Sequence, residues 1–354
     1  MTKFIYKKQI YNINFRCLRI NPIYQNAFFI MPLIHLKSKI SPYWLPNGHF
    51  QSIYPALFRQ IGGIKYFREK IITSDDDFLN LDWSYGENEE PRPLVILSHG
   101  LEGNSTRQYI TGMVKLLNRH GFDCLAWNFR SCGGEMNQTA RFYHSGATED
   151  LDAVVKYAFG KGYSDVRLVG FSLGGNLTLK YLGESGATID RRIKGSIVFS
   201  VPMDLKACSL SIIEPRNQIY MHRFLKSLKP KVVEKAGLYP QKIDLRDHAL
   251  VKTLYDFDHI YTAPLHGYKG ADHYYAECSS MHFIEPIAVP TMIVNAENDP
   301  IVPFQSLPID VLRSHSNVTL LATKDGGHCG FRPARLTDEF YWSEKHALQF
   351  LTTL

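Results

Sequence analysis

The chain has 354 residues, of which 45% are hydrophobic and 21% charged, so it can bury a large core and is neither of low complexity nor intrinsically disordered. It offers no uncharged apolar stretch of the roughly 18 residues that a membrane-spanning helix needs, and we expect no integral membrane segment. The net charge of +6 is uneven, because residues 1–68 hold ten basic side chains and no acidic one, whereas the remainder holds 30 basic against 34 acidic. That mildly acidic body lacks a basic stripe, so we expect no nucleic-acid partner.

Residues 1–30 are rich in Ile, Phe, Asn and Lys and have no clear apolar period. Because chain termini are the usual place for disorder, we expect a disordered tail, or a mis-assigned start with translation beginning at Met31. A basic arm that targets the protein or touches a membrane surface is the alternative. A signal peptide is disfavoured because Asn12, Asn14 and Arg16 would interrupt its apolar part.

The six cysteines are far apart and form no C-x-x-C pair. Without a secretory signal, such spacing is typical of reduced thiols and does not indicate a disulfide framework. The sequence therefore predicts a cytoplasmic protein.

From Glu69 onward, strand-like and helix-like segments alternate. Apolar runs predict strands at 69–73, 79–84, 93–100, 122–129, 166–172, 195–201, 291–299 and from 318, and helices are predicted at 106–120, 149–159 and 176–182. This alternation favours parallel βαβ units with right-handed crossovers. The predicted fold is α/β, with a mostly parallel, doubly wound sheet.

The alternation lapses between Val201 and Val289. Helix-compatible segments occur there at about 205–211, 217–236 and 248–258. The simplest account is a helical cap insertion, about residues 202–288, within one domain of residues 31–354. We expect the cap to lie over the carboxyl edge of the sheet, where such sheets bind ligands.

The strongest local motif is a G-x-S-x-G sequence centred on Ser172. An apolar strand precedes it and a helix follows it, which is the strand–turn–helix context of a nucleophile elbow. The flanking Gly170 and Gly174 would let strand and helix approach closely. We predict Ser172 as a nucleophile; the alternative is a structural serine in a βα turn.

A serine hydroxyl needs a base and an orienting acid, which follow it in the order acid, then histidine, in this kind of fold. Asp299 comes at the end of one predicted strand, and His328 follows the last one on a Gly-rich loop. All three side chains would then share one sheet edge. Asp325 is a rival for the acid because it is only three residues from the histidine.

The developing oxyanion needs backbone donors. We predict the amides of Leu173, which follows the serine, and of Leu101, in the glycine-containing loop after strand 93–100. His99 precedes the elbow, and we expect it to fix that loop by a hydrogen bond and not to act as the base.

Seven colinear motifs together resemble the YheT-like esterases, family 4 of the AB hydrolase superfamily. They lie at 44–59, 98–105, 128–137, 142–151, 170–176, 263–275 and 326–331, so the resemblance runs from about residue 31 to the C-terminus. It implies an α/β-hydrolase fold, a Ser–Asp–His relay at Ser172, Asp299 and His328, and hydrolysis of carboxylic esters, with eukaryotic relatives acting on medium-chain acyl esters and some on phospholipids.

Other parts of these motifs have structural interpretations. An N-terminal strap is expected to pack Trp44 and Tyr54 on the core, although residues 47–49 could instead shape a substrate entrance. The aromatic, His-rich stretch 255–275 lacks the H-E-x-x-H spacing of a zinc site, so it is expected to pack the cap.

The sequence therefore predicts a serine esterase for short- to medium-chain acyl esters, with a small-molecule or lipid substrate and no cofactor or metal. An acyltransferase working through the same acyl-enzyme is one alternative. A noncatalytic ligand-binding protein of the same fold is another.

Overall fold

A computed structural model of the protein describes residues 32–87, 92–335 and 337–354. The predicted tail, residues 1–30, lies outside them. The strands in the described residues are β1 Leu33–Leu36, β2 Phe67–Ile72, β3 Phe78–Ser84, β4 Leu94–Ser98, β5 Asp123–Asn128, β6 Val166–Phe171, β7 Ile193–Phe199, β8 Thr291–Ala296 and β9 Val318–Thr323. The α-helices are α1 Gly48–Phe58, α2 Gln108–Arg119, α3 Thr148–Gly160, α4 Leu173–Ser185, α5 Leu205–Ile213, α6 Gln218–Leu238, α7 Leu254–Phe257, α8 Ala263–Leu265, α9 Ala271–Cys278, α10 Ile309–Ser314 and α11 Trp342–Leu351.

These strands form one sheet in the order β1-β9-β8-β7-β6-β4-β5-β3-β2. Only the pairs β2–β3 and β3–β5 are antiparallel, and the others are parallel. Every residue of β4, β5, β6, β8 and β9 is buried, as expected for strands covered on both faces. The predicted mostly parallel α/β sheet is confirmed.

Two apolar clusters cover the two faces of the sheet. One contains residues of α3 and α4, such as Val154 and Leu177, and the other contains residues of α2 and α11, such as Val114 and Phe350. Helices on both faces make the sheet doubly wound, as predicted. The sequence prediction missed β1, which adds a parallel strand beside β9, and α11, which covers one face of the sheet.

The segment between β7 and β8 is helical and contributes no strand to the sheet. Its helices share an apolar cluster of their own, which includes Met221, Leu228, Val232 and Phe257. Two of the three predicted helical stretches correspond to α5 and α6. The third predicted helix, at about 248–258, was wrong over 251–253. Residues 248–250 form a 3₁₀ turn, and a separate helix, capped by Thr253, begins at Leu254. The division into one domain with a cap stays a prediction.

The strap prediction was wrong about the aromatic side chains. Trp44 and Tyr54 are only half-buried and contact each other edge to face, with ring centroids 4.8 Å apart. The guanidinium of Arg332 lies over both rings. The buried face of α1 instead carries small and polar residues, including Gln51 and Ser52, which accept hydrogen bonds from the loop after β9.

Candidate active site

Ser172 occupies the sharp turn between β6 and α4. Its backbone has φ 53° and ψ −121°, a conformation that L-residues rarely adopt and that marks a strained, functionally placed turn. A Cβ at Gly170 would lie 2.6 Å from the carbonyl oxygen of Gly174, and a Cβ at Gly174 would overlap the carbonyl of Ser98. The motif glycines are therefore needed for the close approach of strand and helix that presents this serine.

His328 links the serine to a buried carboxylate. Its Nε2 lies 2.9 Å from Ser172 Oγ, and its Nδ1 lies 2.9 Å from Asp299 Oδ2. The Asp299 side chain has no exposed surface, and its other oxygen accepts the amides of Ile301 and Val302 at 2.8 and 3.0 Å. These bonds fix the carboxylate, so that Nδ1 donates to it and Nε2 is free to accept the serine proton.

The two candidate acids have different surroundings. The strand predicted for 291–299 ends earlier, at Ala296, so Asp299 lies in a loop three residues beyond the end of β8. Asp325 is also buried, but its two oxygens accept the backbone amides of Ile40 and Ser41 at 2.8 and 3.1 Å. Asp325 therefore fastens the N-terminal segment, and Asp299 is the acid that contacts His328.

The loop of His328 rests on α1. The His328 amide donates to Ser52 Oγ at 2.8 Å, and the Gly326 amide donates to Gln51 Oε1 at 2.9 Å. Gln51 Oε1 also accepts from the side chain of Asn298, next to the acid. The sequence analysis did not predict these hydrogen bonds, although Gln51 and Ser52 lie in the motif at residues 44–59.

The loop after β4 lies against the serine. A Cβ at Gly100 would be 3.1 Å from Ser172 Cβ, and the Gly100 amide donates to Tyr109 Oη at 3.1 Å. Leu101 and Leu173 line the same cavity as Ser172. Within the described residues neither of their amides donates to a protein acceptor, which leaves both available to an oxyanion.

His99 fixes this loop, as predicted. Its Nε2 accepts the Phe129 amide at 3.1 Å, and its Nδ1 lies 2.8 Å from the Gly100 carbonyl oxygen. Complete burial lowers the pKa of His99 to about 3, so the ring is neutral at physiological pH. A neutral imidazole has one donor and one acceptor nitrogen, which matches donation from Nδ1 to Gly100 and acceptance by Nε2 from Phe129.

Glu102 ties the loop to α6. Its carboxylate accepts Tyr143 Oη at 2.8 Å and Lys231 Nζ at 2.9 Å, and also accepts the Ser227 hydroxyl. Lys231 and Ser227 both belong to α6, and Glu102 has the positive φ of 52°. The helical segment is thus hydrogen-bonded to the loop that would carry one oxyanion donor.

Arg130 gives the motif at residues 128–137 a structural role. Its guanidinium is buried and pairs with Asp75, Asp77 and Asp150 at 2.7 to 3.0 Å. Asp150 lies in the first turn of α3 together with Glu149, where acidic side chains also interact favourably with the helix dipole. The Arg130 loop is therefore a structural junction beside the site.

Two cavities meet at Ser172 and His328. The larger, of about 130 Å³, is lined mainly by apolar side chains, among them Leu205, Leu228 and Phe257 from the helical segment. The smaller, of about 80 Å³, lies toward α1 and α2. The arrangement can thus accept a substrate on two sides of one hydroxyl group.

The described residues contain no group of three or more His, Cys, Asp or Glu side chains placed to hold a metal ion. The five cysteines within them are free thiols. None of the helices there combines the length and the apolar character needed to cross a bilayer.

Comparison with known proteins places this geometry in a family. Residues 93–332 match the family model described as the alpha/beta hydrolase fold. The chain belongs to the α/β hydrolase family. The Escherichia coli K12 protein YheT, named as a candidate esterase, is 32% identical over 314 residues, covering 87% of this chain and 91% of its own length. This agrees with the resemblance drawn from the sequence motifs.

Other α/β hydrolases extend the comparison. Mouse phospholipase ABHD3 is 32% identical over 81% of this chain and 72% of its own. The fold of a Pyrococcus furiosus esterase superposes with a TM-score of 0.52 at 18% identity, covering 84% of this chain and 97% of that one. YheT and ABHD3 are named as an esterase and a phospholipase, which supports a hydrolase.

Proposed function

We propose that the protein is a serine carboxylic ester hydrolase acting on short- to medium-chain acyl esters, with Ser172 as nucleophile, His328 as base and Asp299 as acid. The observation that carries this proposal is the continuous hydrogen-bonded chain from Ser172 Oγ through both His328 nitrogens to Asp299, at 2.9 Å for each link. A serine so connected, on a strained turn and lining an apolar cavity, has the geometry of an activated nucleophile.

The reaction follows from the positions of these groups. His328 Nε2 accepts the Ser172 proton as Oγ attacks the ester carbonyl carbon, and Asp299 stabilises the imidazolium. The Leu101 and Leu173 amides donate to the oxyanion. His328 then protonates the leaving alcohol oxygen, which leaves an acyl-enzyme. Water, deprotonated by the same nitrogen, attacks the acyl carbon. His328 then returns that proton to Ser172 Oγ as the acyl–oxygen bond breaks and the carboxylic acid leaves.

The apolar cavity suits the acyl chain. Its walls are side chains such as Leu228, Leu254 and Phe257, which favour an aliphatic chain over water. Asp258 and Tyr275 also line it, and they are hydrogen-bonded to each other at 2.7 Å. This polar pair makes one part of the lining polar, so the apolar surface that the cavity offers to a long aliphatic chain is limited.

A series of p-nitrophenyl esters from two to sixteen carbons tests the proposal. We expect kcat/KM to peak within the short to medium lengths, and Ser172→Ala to lose activity by several orders of magnitude while it remains folded. A maximum at sixteen carbons would overturn the assigned chain length. Full activity in the alanine variant would overturn the assigned nucleophile.

A further inference from the structure

The larger cavity contains a carboxylate that has no cationic partner. Asp258 lines this cavity, together with three hydroxyl side chains, those of Ser209, Thr262 and Tyr275. Among the described residues no basic side chain forms an ion pair with Asp258, whereas Glu102, the cavity's other acidic residue, pairs with Lys231 at 2.9 Å. The reaction proposed above gives Asp258 no role.

The hydrogen bonds of Asp258 leave part of its carboxylate free. Oδ1 accepts the Thr262 hydroxyl at 2.7 Å, and Oδ2 accepts the Tyr275 hydroxyl at 2.7 Å. An ionised carboxylate can accept about four hydrogen bonds, so each oxygen retains the capacity for one more. Because Asp258 keeps some accessible surface and lines the cavity, a ligand bound there can reach that capacity.

A short chain of hydroxyl groups holds this carboxylate. Tyr275 Oη lies within hydrogen-bond distance of both Asp258 and Ser209, whose Oγ is 3.1 Å away. A hydroxyl carries a single proton and an ionised carboxylate carries none, so Tyr275 donates to Asp258 and accepts from Ser209. The chain orients the carboxylate without neutralising its charge, and a charge withdrawn from water is costly unless it is fully hydrogen-bonded.

The polar groups and the reacting groups belong to different parts of the cavity wall. Ser172 and His328 lie at the edge of the sheet, whereas Asp258, Thr262 and Tyr275 lie in the helical segment between β7 and β8. The rest of the lining is mainly apolar. An acyl chain attached to Ser172 therefore meets aliphatic and aromatic side chains and, on the helical segment, a strong acceptor of hydrogen bonds.

A hydroxyl group suits this acceptor better than an ammonium group does. Both can donate to an ionised carboxylate, but an ammonium group must give up its hydration in a mainly apolar cavity, which costs far more than the burial of a hydroxyl. The two side chains that already donate to Asp258 are themselves neutral hydroxyls. An unsubstituted chain would leave the remaining capacity of the carboxylate facing methylene groups.

We propose, on the basis of the function proposed above, that Asp258 accepts a hydrogen bond from a hydroxyl group on the acyl chain of the substrate. Thr262 and Tyr275 orient the carboxylate for this bond. The preferred substrate is then an ester of a hydroxylated short- to medium-chain carboxylic acid. Hydrolysis consumes water at the ester bond and releases the hydroxy acid and the alcohol, and the hydroxyl on the chain takes no part in bond breaking.

The test compares esters that differ only in one substituent on the acyl chain. The substrates are ethyl decanoate, its derivatives with a hydroxyl group at carbon three, six, eight or ten, and the methyl ether and amine that correspond to each. The assays are run at pH 8, where the carboxylate is ionised because burial raises the pKa of Asp258 only to about 6.

We expect at least one hydroxylated ester to have a kcat/KM roughly 10- to 100-fold above that of ethyl decanoate, because hydrogen bonds to charged groups are the stronger ones. Its methyl ether has no proton to donate and should lose that advantage.

Asp258→Asn is the decisive variant. Its side chain keeps the shape and one acceptor oxygen but loses the charge, so the ratio of hydroxylated-ester to ethyl decanoate kcat/KM should fall by roughly tenfold. A purely structural role of Asp258 would change both rates together and leave the ratio as it is. Asp310→Asn makes the same chemical change at an exposed position on α10, outside both cavities, and should not alter the ratio.

The outcomes separate this proposal from the function on which it rests. A wild type that hydrolyses none of the esters contradicts the esterase itself. If the wild type hydrolyses ethyl decanoate but prefers no hydroxylated ester, if the methyl ether matches its parent, or if Asp258→Asn has an unchanged ratio, the subsite alone is overturned. A higher kcat/KM for the amine than for the matching hydroxylated ester overturns the assignment to a hydroxyl group.

Discussion

The backbone amide of His328 donates a 2.8 Å hydrogen bond to the hydroxyl of Ser52, 276 residues earlier in the chain. Ser52 in turn donates to the carbonyl of Gly48, one turn earlier in α1. A Cβ at Gly48 would overlap the backbone carbonyl of Asn298, one residue before the acid. Helix α1 is therefore in contact with the loops of both the candidate base and the candidate acid.

Ser52→Ala should weaken catalysis without abolishing binding. Losing this bond frees the loop of His328, and a small misplacement of a reacting group can lower the rate substantially. We expect kcat to fall by roughly tenfold, with KM nearly unchanged, in steady-state hydrolysis of a p-nitrophenyl ester. Ser314→Ala, at an exposed position on α10, is the control. Equal kcat values for the Ser52 variant and wild type would show that α1 does not position the base.

Asp299→Asn and Asp325→Asn should separate catalysis from stability. The first removes the charge that orients His328, so kcat should fall by about 10⁴-fold while the melting temperature changes little. The second puts an amide donor opposite the amides of Ile40 and Ser41, so it should lower the melting temperature and leave most of the activity. Kinetics and thermal unfolding of both variants are the measurements. The opposite pattern would make Asp325 the catalytic acid.

Gly174→Ala tests the close packing of the elbow. The added methyl group would overlap the carbonyl of Ser98, and overpacking of this kind destabilises a protein by about 2 kcal/mol or more. Gly160, at the end of α3, has no neighbour within 4 Å of its Cβ position, so Gly160→Ala should stabilise the protein by up to about 1 kcal/mol. Urea unfolding gives both values. Equal stabilities would mean that the elbow can relax.

The carboxyl group of Asp258 should make the stability of the folded protein depend on pH. Burial raises its pKa from 3.8 to about 6, despite hydrogen bonds from Thr262 and Tyr275. Because the folded protein then holds this proton more tightly than the unfolded chain, stability falls as pH rises from 3.8 through about 6, by at most about 3 kcal/mol.

Asp258→Asn imitates the protonated acid at all pH values. The variant should match wild type in melting temperature near pH 4 and exceed it by several degrees at pH 7.5. Asp310→Asn, at a fully solvent-exposed side chain on α10, should follow the wild-type curve. A wild-type excess at pH 7.5 would mean that the ionised carboxylate stabilises the folded state.

The sheet and the position of its reactive edge could be predicted from sequence because they rest on local patterns. Apolar runs that end in Gly or Asp predicted β4, β6 and β8, and parallel strands bring their carboxyl ends to one edge. The order of Ser172, Asp299 and His328 along the chain then put all three candidates there. The distances between them depend on tertiary contacts, which no local pattern encodes.

Other parts of the site depend on contacts between distant segments. Trp44 was expected in the core because aromatic residues usually supply buried area, yet the buried face of α1 is polar and serves the histidine loop. Arg223 is one of the exposed bases of α6, so nothing in the sequence predicts that it lines the smaller cavity together with Arg107.

Labelling with a fluorophosphonate probe tests the central claim most directly, because this reagent reacts only with a serine that has been activated as a nucleophile. The account predicts stoichiometric labelling of the wild type, an adduct that peptide mass spectrometry maps to Ser172, and no labelling of folded Ser172→Ala. Stoichiometric labelling of the alanine variant, or an adduct on another serine, would contradict it.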